Sequence, residues 1–191
     1  MLKKFNPLLD PLPETVEVNG NIYKINTDYR HVLKCYELIN SDEDDAEKLS
    51  LGLTIFYGEN VYKDDLAGLV QKMSWFINKG KEPDNEERDK VRTFDILEDS
   101  GKVLSAFYQT YKINLRKVKM HWWIFLELFE GLPSGTHLSD VIELRGRKFE
   151  KGMSAADRNA LAKAQNYYRI GEAVDPMENL FAAVRSIAHG T

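Results

Sequence analysis

The sequence predicts a mainly α-helical fold, a compact domain of six or seven helices with a short β-hairpin at its N-terminus. From Thr27 onwards, apolar side chains recur every three or four residues in successive segments, which is the spacing of one helix face. Before Thr27, two alternating runs flank the dipeptide Asn19-Gly20, which is a strong hairpin signal. The chain has 191 residues, of which 43% are hydrophobic, so it is long enough to bury a core.

The composition excludes several classes of protein. No apolar run approaches the roughly 18 residues that a membrane span needs. The single cysteine, Cys35, excludes a disulfide framework and a zinc site built from cysteines. The formal net charge is −4, with −6 on residues 1–90 and +2 on residues 91–191, so the basic footprint of a nucleic-acid binder is missing. Residues 1–7 lack the apolar stretch of a signal peptide, and we expect a cytoplasmic protein.

The hairpin is predicted over residues 14–25 and three helices between Thr27 and Gly80. The Asn19-Gly20 pair supplies the positive φ angles of a type I′ turn. The apolar faces of the helices are Tyr29, Val32, Leu33, Tyr36 and Ile39; Ala46, Leu49, Leu53, Phe56 and Tyr57; and Leu66, Leu69, Val70, Met73, Phe76 and Ile77. The third helix begins at about Lys63, and Trp75 lies beside its apolar face, either at the edge of the core or against a second layer.

The acidic run Asp42–Asp45 could bind a cation or cap a helix. Its four carboxylates are adjacent and lack the alternate-residue spacing of a calcium loop. With Ser41 as the N-cap, the run places negative charge at the positive end of the second helix. We therefore expect a solvated, helix-capping segment.

Residues 79–92 are predicted to form an exposed, mobile linker, because ten of the fourteen are charged. A fourth helix follows from about Phe94, and Gly101 interrupts it. Its predicted inward side consists of Leu97, Leu104, Phe107, Tyr108 and Tyr111.

Large apolar residues fill seven of the eight positions from Trp122 to Phe129, and a helix of this kind is buried on more than one side, in the domain or under a partner. A short helix with Leu138, Val141 and Ile142 inward comes next. Ser154 with Asp157 then predicts a capped helix start. Residues 1–170 are accordingly predicted to be one helical domain.

Residues 171–191 are predicted to be a tail with an amphipathic helix. Asp175 as N-cap and Pro176 at the first helical position are typical of a helix start. The apolar face is Met177, Leu180, Phe181, Val184 and Ile187. The tail either folds back on the domain or docks on another chain.

Catalytic and metal-binding patterns are missing from the sequence. The four histidines lie one to a segment, and His121 and Glu127 fall on different faces of a helix. His121 is better interpreted as a helix-end residue that satisfies its own hydrogen bonds. Cys35 has His31 one turn earlier but flanks an apolar face, where cysteine usually packs. We expect no enzyme, no catalytic residue, no cofactor and no metal.

Two basic clusters lie near the tryptophans, Arg116-Lys117-Lys119 and Arg145-Arg147-Lys148. Basic groups beside aromatic rings can bind single strands. Here the tryptophans belong to an apolar helix, so solvated helix ends are the preferred interpretation and no nucleic-acid partner is expected. The class of protein that remains is an interaction protein.

Several short motifs occur in a characteristic order. They are Asp10–Glu14 with Val18-Asn19-Gly20, Ile25–Arg30, Leu69–Gly80 with Trp75-Phe76, Phe94-Asp95, His121–Phe125 with Gly131-Leu132, Ile142–Arg145, and the capped helix Ser154–Tyr168. In this order they resemble the gene-product-fifteen family of tailed bacteriophages and prophages, over about residues 10–170.

The resemblance implies a function in tail morphogenesis. Members of the family are usually encoded just before the tape-measure gene and look like tail-assembly chaperones, which hold the tape-measure protein soluble in the host bacterial cytoplasm. The implied partners are the tape-measure protein or other tail proteins, with self-association possible in addition, and the family brings no catalytic residue or cofactor. The alternatives are a minor structural or connector component of the virion and, less favoured, a nucleic-acid-binding regulator.

The candidate partner contacts are Trp75, Trp122, Trp123, Leu180, Phe181 and Val184. A tape measure is a long amphipathic helix, and an apolar or aromatic patch could shield it. The alternative is that the tryptophans fill the core, in which case their truncation to alanine destabilises the domain by about 3–5 kcal/mol.

Overall fold

The computed structural model of the chain describes residues 5–59, 61, 65–81 and 92–171. These residues form a two-stranded sheet and seven α-helices, so the predicted mainly α-helical fold is confirmed. The elements are β1 (Thr15–Val18), β2 (Asn21–Lys24), α1 (Tyr29–Ile39), α2 (Asp45–Tyr57), α3 (Leu66–Ile77), α4 (Ser100–Tyr111), α5 (Trp122–Glu130), α6 (His137–Gly146) and α7 (Ala155–Tyr167). None of these described helices is both long and apolar enough to cross a bilayer. Most of the linker predicted at 79–92, and the predicted tail helix, lie outside the described residues.

The described residues form two compact units. Unit 1 contains residues 5–59, 61, 65–81 and 119–126, and unit 2 contains residues 92–118 and 127–171. The division falls within α5, whose first five residues belong to unit 1 and whose last four belong to unit 2. The assignment of residues 1–170 to one domain stays a prediction, because two compact units can be parts of one domain or two domains.

The hairpin forms where the sequence predicts it and is attached to α3. β1 and β2 pair antiparallel, and Asn19 and Gly20 take the left-handed φ angles of 48° and 80° that a type I′ turn requires. Val16 and Val18 are buried, and β1 packs on α3. The Asn19 side chain donates a hydrogen bond of 2.5 Å to Asp65, which precedes α3. The ribbon therefore has the support that two strands need in water.

α1 and α2 pack against each other, and the acidic run caps α2 as predicted. The cap is Asp44, whose carboxylate accepts hydrogen bonds from the amides of Ala46 (2.9 Å) and Glu47 (3.0 Å). The prediction of Ser41 as the N-cap is wrong. Its hydroxyl donates to the carbonyl of Leu38 at the end of α1, because α2 begins four residues after it.

The predicted apolar face of α3 is buried in the core of unit 1. Its N-cap is Asp65, whose carboxylate accepts a hydrogen bond of 2.8 Å from the amide of Gly68. The buried apolar residues of α3 are Leu69, Val70, Met73, Phe76 and Ile77. The helix ends at its C-cap, Asn78, two residues before Gly80.

α4 begins at Ser100 rather than near Phe94, so the predicted start is wrong. The carboxylate of Asp95 accepts hydrogen bonds of 2.8 Å from the amides two and three residues later, which forms a separate turn before the helix. Gly101 therefore lies in the first turn of α4 and does not interrupt it. Tyr108, predicted to be inward, is 58% exposed. The buried residues of α4 are Val103, Ala106 and Phe107.

The last two helices begin at side-chain caps. Thr136 and Ser139 form a reciprocal capping box at the start of α6. Ser154 accepts a hydrogen bond of 3.1 Å from the amide of Asp157, so the predicted start of α7 is confirmed. α7 packs on α6, and Leu161 is its buried side chain. The rest of α7 is mostly exposed.

Candidate functional site

An aromatic cluster in unit 1 surrounds the start of α5. The ring of Trp122 stacks on Phe125, with 5.4 Å between centroids. Trp123 stacks on Phe76 at 5.9 Å and meets the edge of Phe5 at 4.8 Å. Each of the two tryptophans is only 2% exposed. They contribute large apolar areas to the core of this unit.

The indole nitrogens of these tryptophans bind the end of α3. Nε1 of Trp122 donates to the carbonyl of Ile77 at 2.8 Å, and Nε1 of Trp123 donates to the carbonyl of Phe76 at 2.7 Å. The last carbonyls of a helix have no partner within the helix, and a buried carbonyl without a partner is costly. The two adjacent tryptophans therefore donate to consecutive carbonyls and join α5 to α3. The carbonyl of Phe76 also accepts a hydrogen bond of 3.1 Å from the amide of Lys79.

Trp75 lies at the edge of this cluster and is half-buried. Its ring is tilted against Trp123 at 5.5 Å, so Trp75 forms part of an aromatic layer around the core. Of the three predicted tryptophan contacts, Trp75 keeps accessible surface. The tail candidates Leu180, Phe181 and Val184 lie outside the described residues, and contact with a partner stays a prediction for all six residues.

Both ring nitrogens of His121 have hydrogen-bond partners, as expected for a helix-end histidine. Nε2 lies 3.1 Å from the carbonyl oxygen of Pro13, and Nδ1 accepts a hydrogen bond of 3.1 Å from the amide of Trp123. The second bond makes His121 the cap of α5. Burial lowers the pKa of His121, while the bond to Pro13 and the charge of Glu14 act in the opposite direction.

The segment before α5 is bonded to the start of α1. The amide of Trp122 donates to the carbonyl of Thr27 at 2.7 Å, and the amide of Met120 donates to the carboxylate of Asp28 at 3.1 Å. Asp28 also accepts two hydrogen bonds from the guanidinium of Arg30. Burial would raise the pKa of Asp28, but the hydrogen bonds from Arg30 and Met120 lower it below its usual value.

A buried ion pair joins the helices of unit 2. Asp99 is fully buried, and its carboxylate accepts hydrogen bonds from Arg145 (2.5 and 3.0 Å) and Lys102 (2.8 Å). Arg145 also donates to the carbonyls of Thr93 at 3.0 Å and Tyr168 at 2.6 Å. Burial would raise the pKa of Asp99, but the hydrogen bonds from Arg145 and Lys102 lower it to about 2. One guanidinium thus connects α4, α6 and the end of α7.

This ion pair changes the interpretation of one basic cluster. Arg145 was expected to be a solvated helix-end residue, but its side chain is only 7% exposed and its charge is paired with Asp99. That expectation is wrong for Arg145, because the two residues are 46 positions apart and no local pattern indicates their contact. The exposed members of the two clusters are Arg116, Lys117, Lys119, Arg147 and Lys148.

Cys35 packs in the core, as the structural interpretation predicts. Its side chain is fully buried, and Sγ lies 3.8 Å from the carbonyl oxygen of Gly52 in α2. Burial raises the pKa of the thiol to about 12, so little thiolate forms near neutral pH. His31, one turn earlier, has a buried Nδ1 that makes no hydrogen bond with the described residues. Among all the residues that the structure describes, no group of three or more His, Cys, Asp or Glu side chains could hold a metal ion.

Two exposed leucines lie on a turn that local hydrogen bonds fix. Leu8 is 91% exposed and Leu9 is 80% exposed. The Asn6 carbonyl accepts from the amides of Leu9 (3.0 Å) and Asp10 (2.8 Å). The Asn6 side chain accepts from the amide of Leu8 at 3.0 Å, and Asp10 accepts from the amide of Asn6 at 2.8 Å. The periodicity of the sequence does not predict this Leu8–Leu9 turn, although its Asn-Pro and Asp residues are turn formers.

Comparison with known proteins gives a family match over most of the chain. The sequence profile of the family described as "Bacteriophage Gp15 protein" matches residues 8–170. This interval includes Trp122, Trp123 and Phe76 of the aromatic cluster, the cap of α5 and the buried ion pair of unit 2. No curated protein and no solved structure matches the chain.

Proposed function

The chain belongs to the bacteriophage Gp15 family, and on this premise we propose that it is a tail-assembly chaperone that binds the tape-measure protein in the host cytoplasm. The family is one of structural bacteriophage proteins, and membership implies contacts with other phage proteins. The family match is the observation that carries the proposal. The tape-measure protein as the partner comes from the order of genes that is usual in the family.

A chaperone for an amphipathic helix needs accessible apolar side chains that are already in place. The Leu8–Leu9 turn meets this requirement, because its two leucines are exposed and its backbone is held by hydrogen bonds. A preorganised turn loses little conformational entropy on binding. We therefore add Leu8 and Leu9 to Trp75 and the tail residues as proposed contacts. Trp122 and Trp123 have little accessible area to contribute.

The test is co-expression of the chain with the tape-measure protein from the same gene cluster, followed by size exclusion with light scattering. We expect a soluble complex. The double substitution L8S/L9S should reduce the amount of complex while the chain itself stays folded. Y167S is the matched control, because Tyr167 is 81% exposed in unit 2 and lies far along the chain from the turn. A tape measure that precipitates while the wild-type chain elutes alone contradicts the proposal.

A second candidate function is a minor structural or connector component of the virion, which the structural character of the family supports. The two functions differ in where the protein is found after assembly. Quantitative mass spectrometry of purified particles separates them. A fixed number of copies per particle favours the virion component, whereas loss of the protein from particles favours the chaperone.

A further inference from the structure

We propose that the outer edge of β2 pairs with the same edge of a second copy of this chain, which joins the two hairpins into a four-stranded sheet. Within the described residues, β2 has β1 as its one neighbour in the sheet, whereas β1 also packs on α3. Ile22 of β2 is 75% exposed. A strand edge with an exposed apolar side chain is a template for another strand.

The phase of the hairpin hydrogen bonds shows which backbone groups of β2 point outwards. In an antiparallel pair, opposite residues alternate between exchanging both ladder bonds and exchanging none. A two-residue type I′ turn closes on a bonded pair, which here is Val18 and Asn21. Further along the two strands, the amide of Ile25 donates to the carbonyl of Glu14 at 3.0 Å, which agrees with this phase.

Ile22 and Lys24 are therefore the two residues of β2 that make no ladder bond with β1. Their amides and carbonyls face the outer edge, and none of these groups bonds to another described residue. An added antiparallel strand requires this arrangement, in which donors and acceptors recur at every second residue. The edge thus has the hydrogen-bonding groups for a further strand.

The side chain of Ile22 lies on the solvent face of the hairpin, opposite Glu17 of β1. The other face is buried, because Val16 and Val18 on either side of Glu17 pack into unit 1. Glu17 covers one side of Ile22, and the other side of Ile22 borders the outer edge. A strand that pairs at this edge would cover the rest of the isoleucine.

A second copy of β2 supplies a side chain that suits this position. If the two strands pair antiparallel about a two-fold axis beside Tyr23, Ile22 of each copy lies opposite Lys24 of the other. The methylene groups of that lysine then cover Ile22, and its ammonium group lies in the same row of the sheet as the carboxylate of Glu17. Pairing centred on Lys24 would instead oppose two like charges, which is unfavourable.

The experiment is sedimentation velocity on the full chain over a series of concentrations, for which we expect a reversible equilibrium between monomer and dimer. Ile22→Pro removes an outward amide and leaves the bonds within the hairpin intact, because edge strands tolerate proline where the amide faces solvent. Each dimer loses two donors, so its dissociation constant should rise by about a hundredfold. An unchanged far-UV spectrum shows that the variant is folded.

Thr15→Pro is the matched control for this substitution. Thr15 is the first residue of β1, and its amide also points outwards, but at the opposite edge of the hairpin. The dissociation constant of this variant should stay within about threefold of the wild-type value. A wild-type chain that is monomeric at every concentration overturns the proposal. A dimer that Ile22→Pro leaves unchanged, or that Thr15→Pro weakens equally, also overturns it.

Amide exchange measured by NMR on the wild type covers the case in which Ile22→Pro does not fold. The amides of Asn21 and Tyr23 are bonded within the hairpin, so their protection should not depend on concentration. The amides of Ile22 and Lys24 should exchange about tenfold more slowly when about nine-tenths of the chains are dimeric. Exchange at Ile22 and Lys24 that is independent of concentration would overturn the proposal. The proposed function would be unaffected, because the Leu8–Leu9 turn lies outside β2.

Discussion

Replacement of Arg145 by alanine should destabilise the chain more than most other single substitutions. The guanidinium makes two hydrogen bonds to Asp99 and one each to the carbonyls of Thr93 and Tyr168. The pKa of Asp99 falls from 3.8 to about 2, which corresponds to roughly 2.5 kcal/mol at about 1.4 kcal/mol per pKa unit. Without Arg145, this gain is largely lost and the burial penalty of the carboxylate remains. We therefore expect a loss of about 3–5 kcal/mol in the free energy of unfolding.

Urea denaturation followed by far-UV ellipticity measures this loss, because α4, α6 and α7 contribute to the helical signal. Tryptophan fluorescence in the same samples follows unit 1, where all three tryptophans lie. The control is Arg147→Ala, two residues later and exposed, which should change the unfolding free energy by less than about 0.5 kcal/mol. If the two substitutions have equal effects, the reasoning about the ion pair is refuted.

The same pair predicts a particular pH dependence. Because the folded pKa of Asp99 is lower than the unfolded one, its stabilising contribution is present above pH 3.8 and is lost as the pH falls towards about 2. The difference in unfolding free energy between wild type and Arg145→Ala should therefore shrink below pH 3.8. A difference that stays constant down to about pH 2 would show that the charge of Asp99 does not contribute.

Three substitutions and one thiol reaction test other parts of the structure. Trp123→Phe should cost about 0.5–1.5 kcal/mol, measured by urea denaturation, because the carbonyl of Phe76 loses the indole donor and keeps only the amide of Lys79. An unchanged midpoint would contradict a stabilising role of the indole hydrogen bond. Gly68→Ala should destabilise the chain, because the added Cβ would lie 2.7 Å from a side-chain carbon of β1. Gly101→Ala, in the open first turn of α4, should instead stabilise the chain by about 0.5–1 kcal/mol. Equal thermal midpoints of the two variants would refute this contrast. Cys35 should react with a thiol reagent at pH 8 only after denaturation, because burial raises its pKa to about 12; rapid reaction of the native chain would contradict its burial.

Local features of the fold were predictable because their causes lie within a few residues of chain. The Asn19-Gly20 turn depends on two backbone conformations that these residue types favour. The cap at Ser154 depends on a hydroxyl that reaches an amide three residues later. The predicted family is confirmed for a related reason, since it was identified from short motifs that keep their order along the chain.

Errors occurred where several local signals compete. Ser41 and Asp44 are both good N-cap residues, and the start of α2 at Asp45 decides between them. In the same way, Asp95 closes a turn of its own, which delays the start of α4. In both places the boundary depends on which hydrogen bonds the folded chain completes.

The sequence by itself determined the class of fold, most helix positions and the phage family, because periodicity, caps and turn residues act over short distances. Tertiary structure alone decided the partners of the chemically distinctive side chains. Asp99 meets Arg145 across 46 positions, and the indole of Trp123 meets the carbonyl of Phe76 across 47. A charge or an indole N–H in the core must find a partner wherever packing places one, since leaving it unpaired away from water costs more than most single contacts provide.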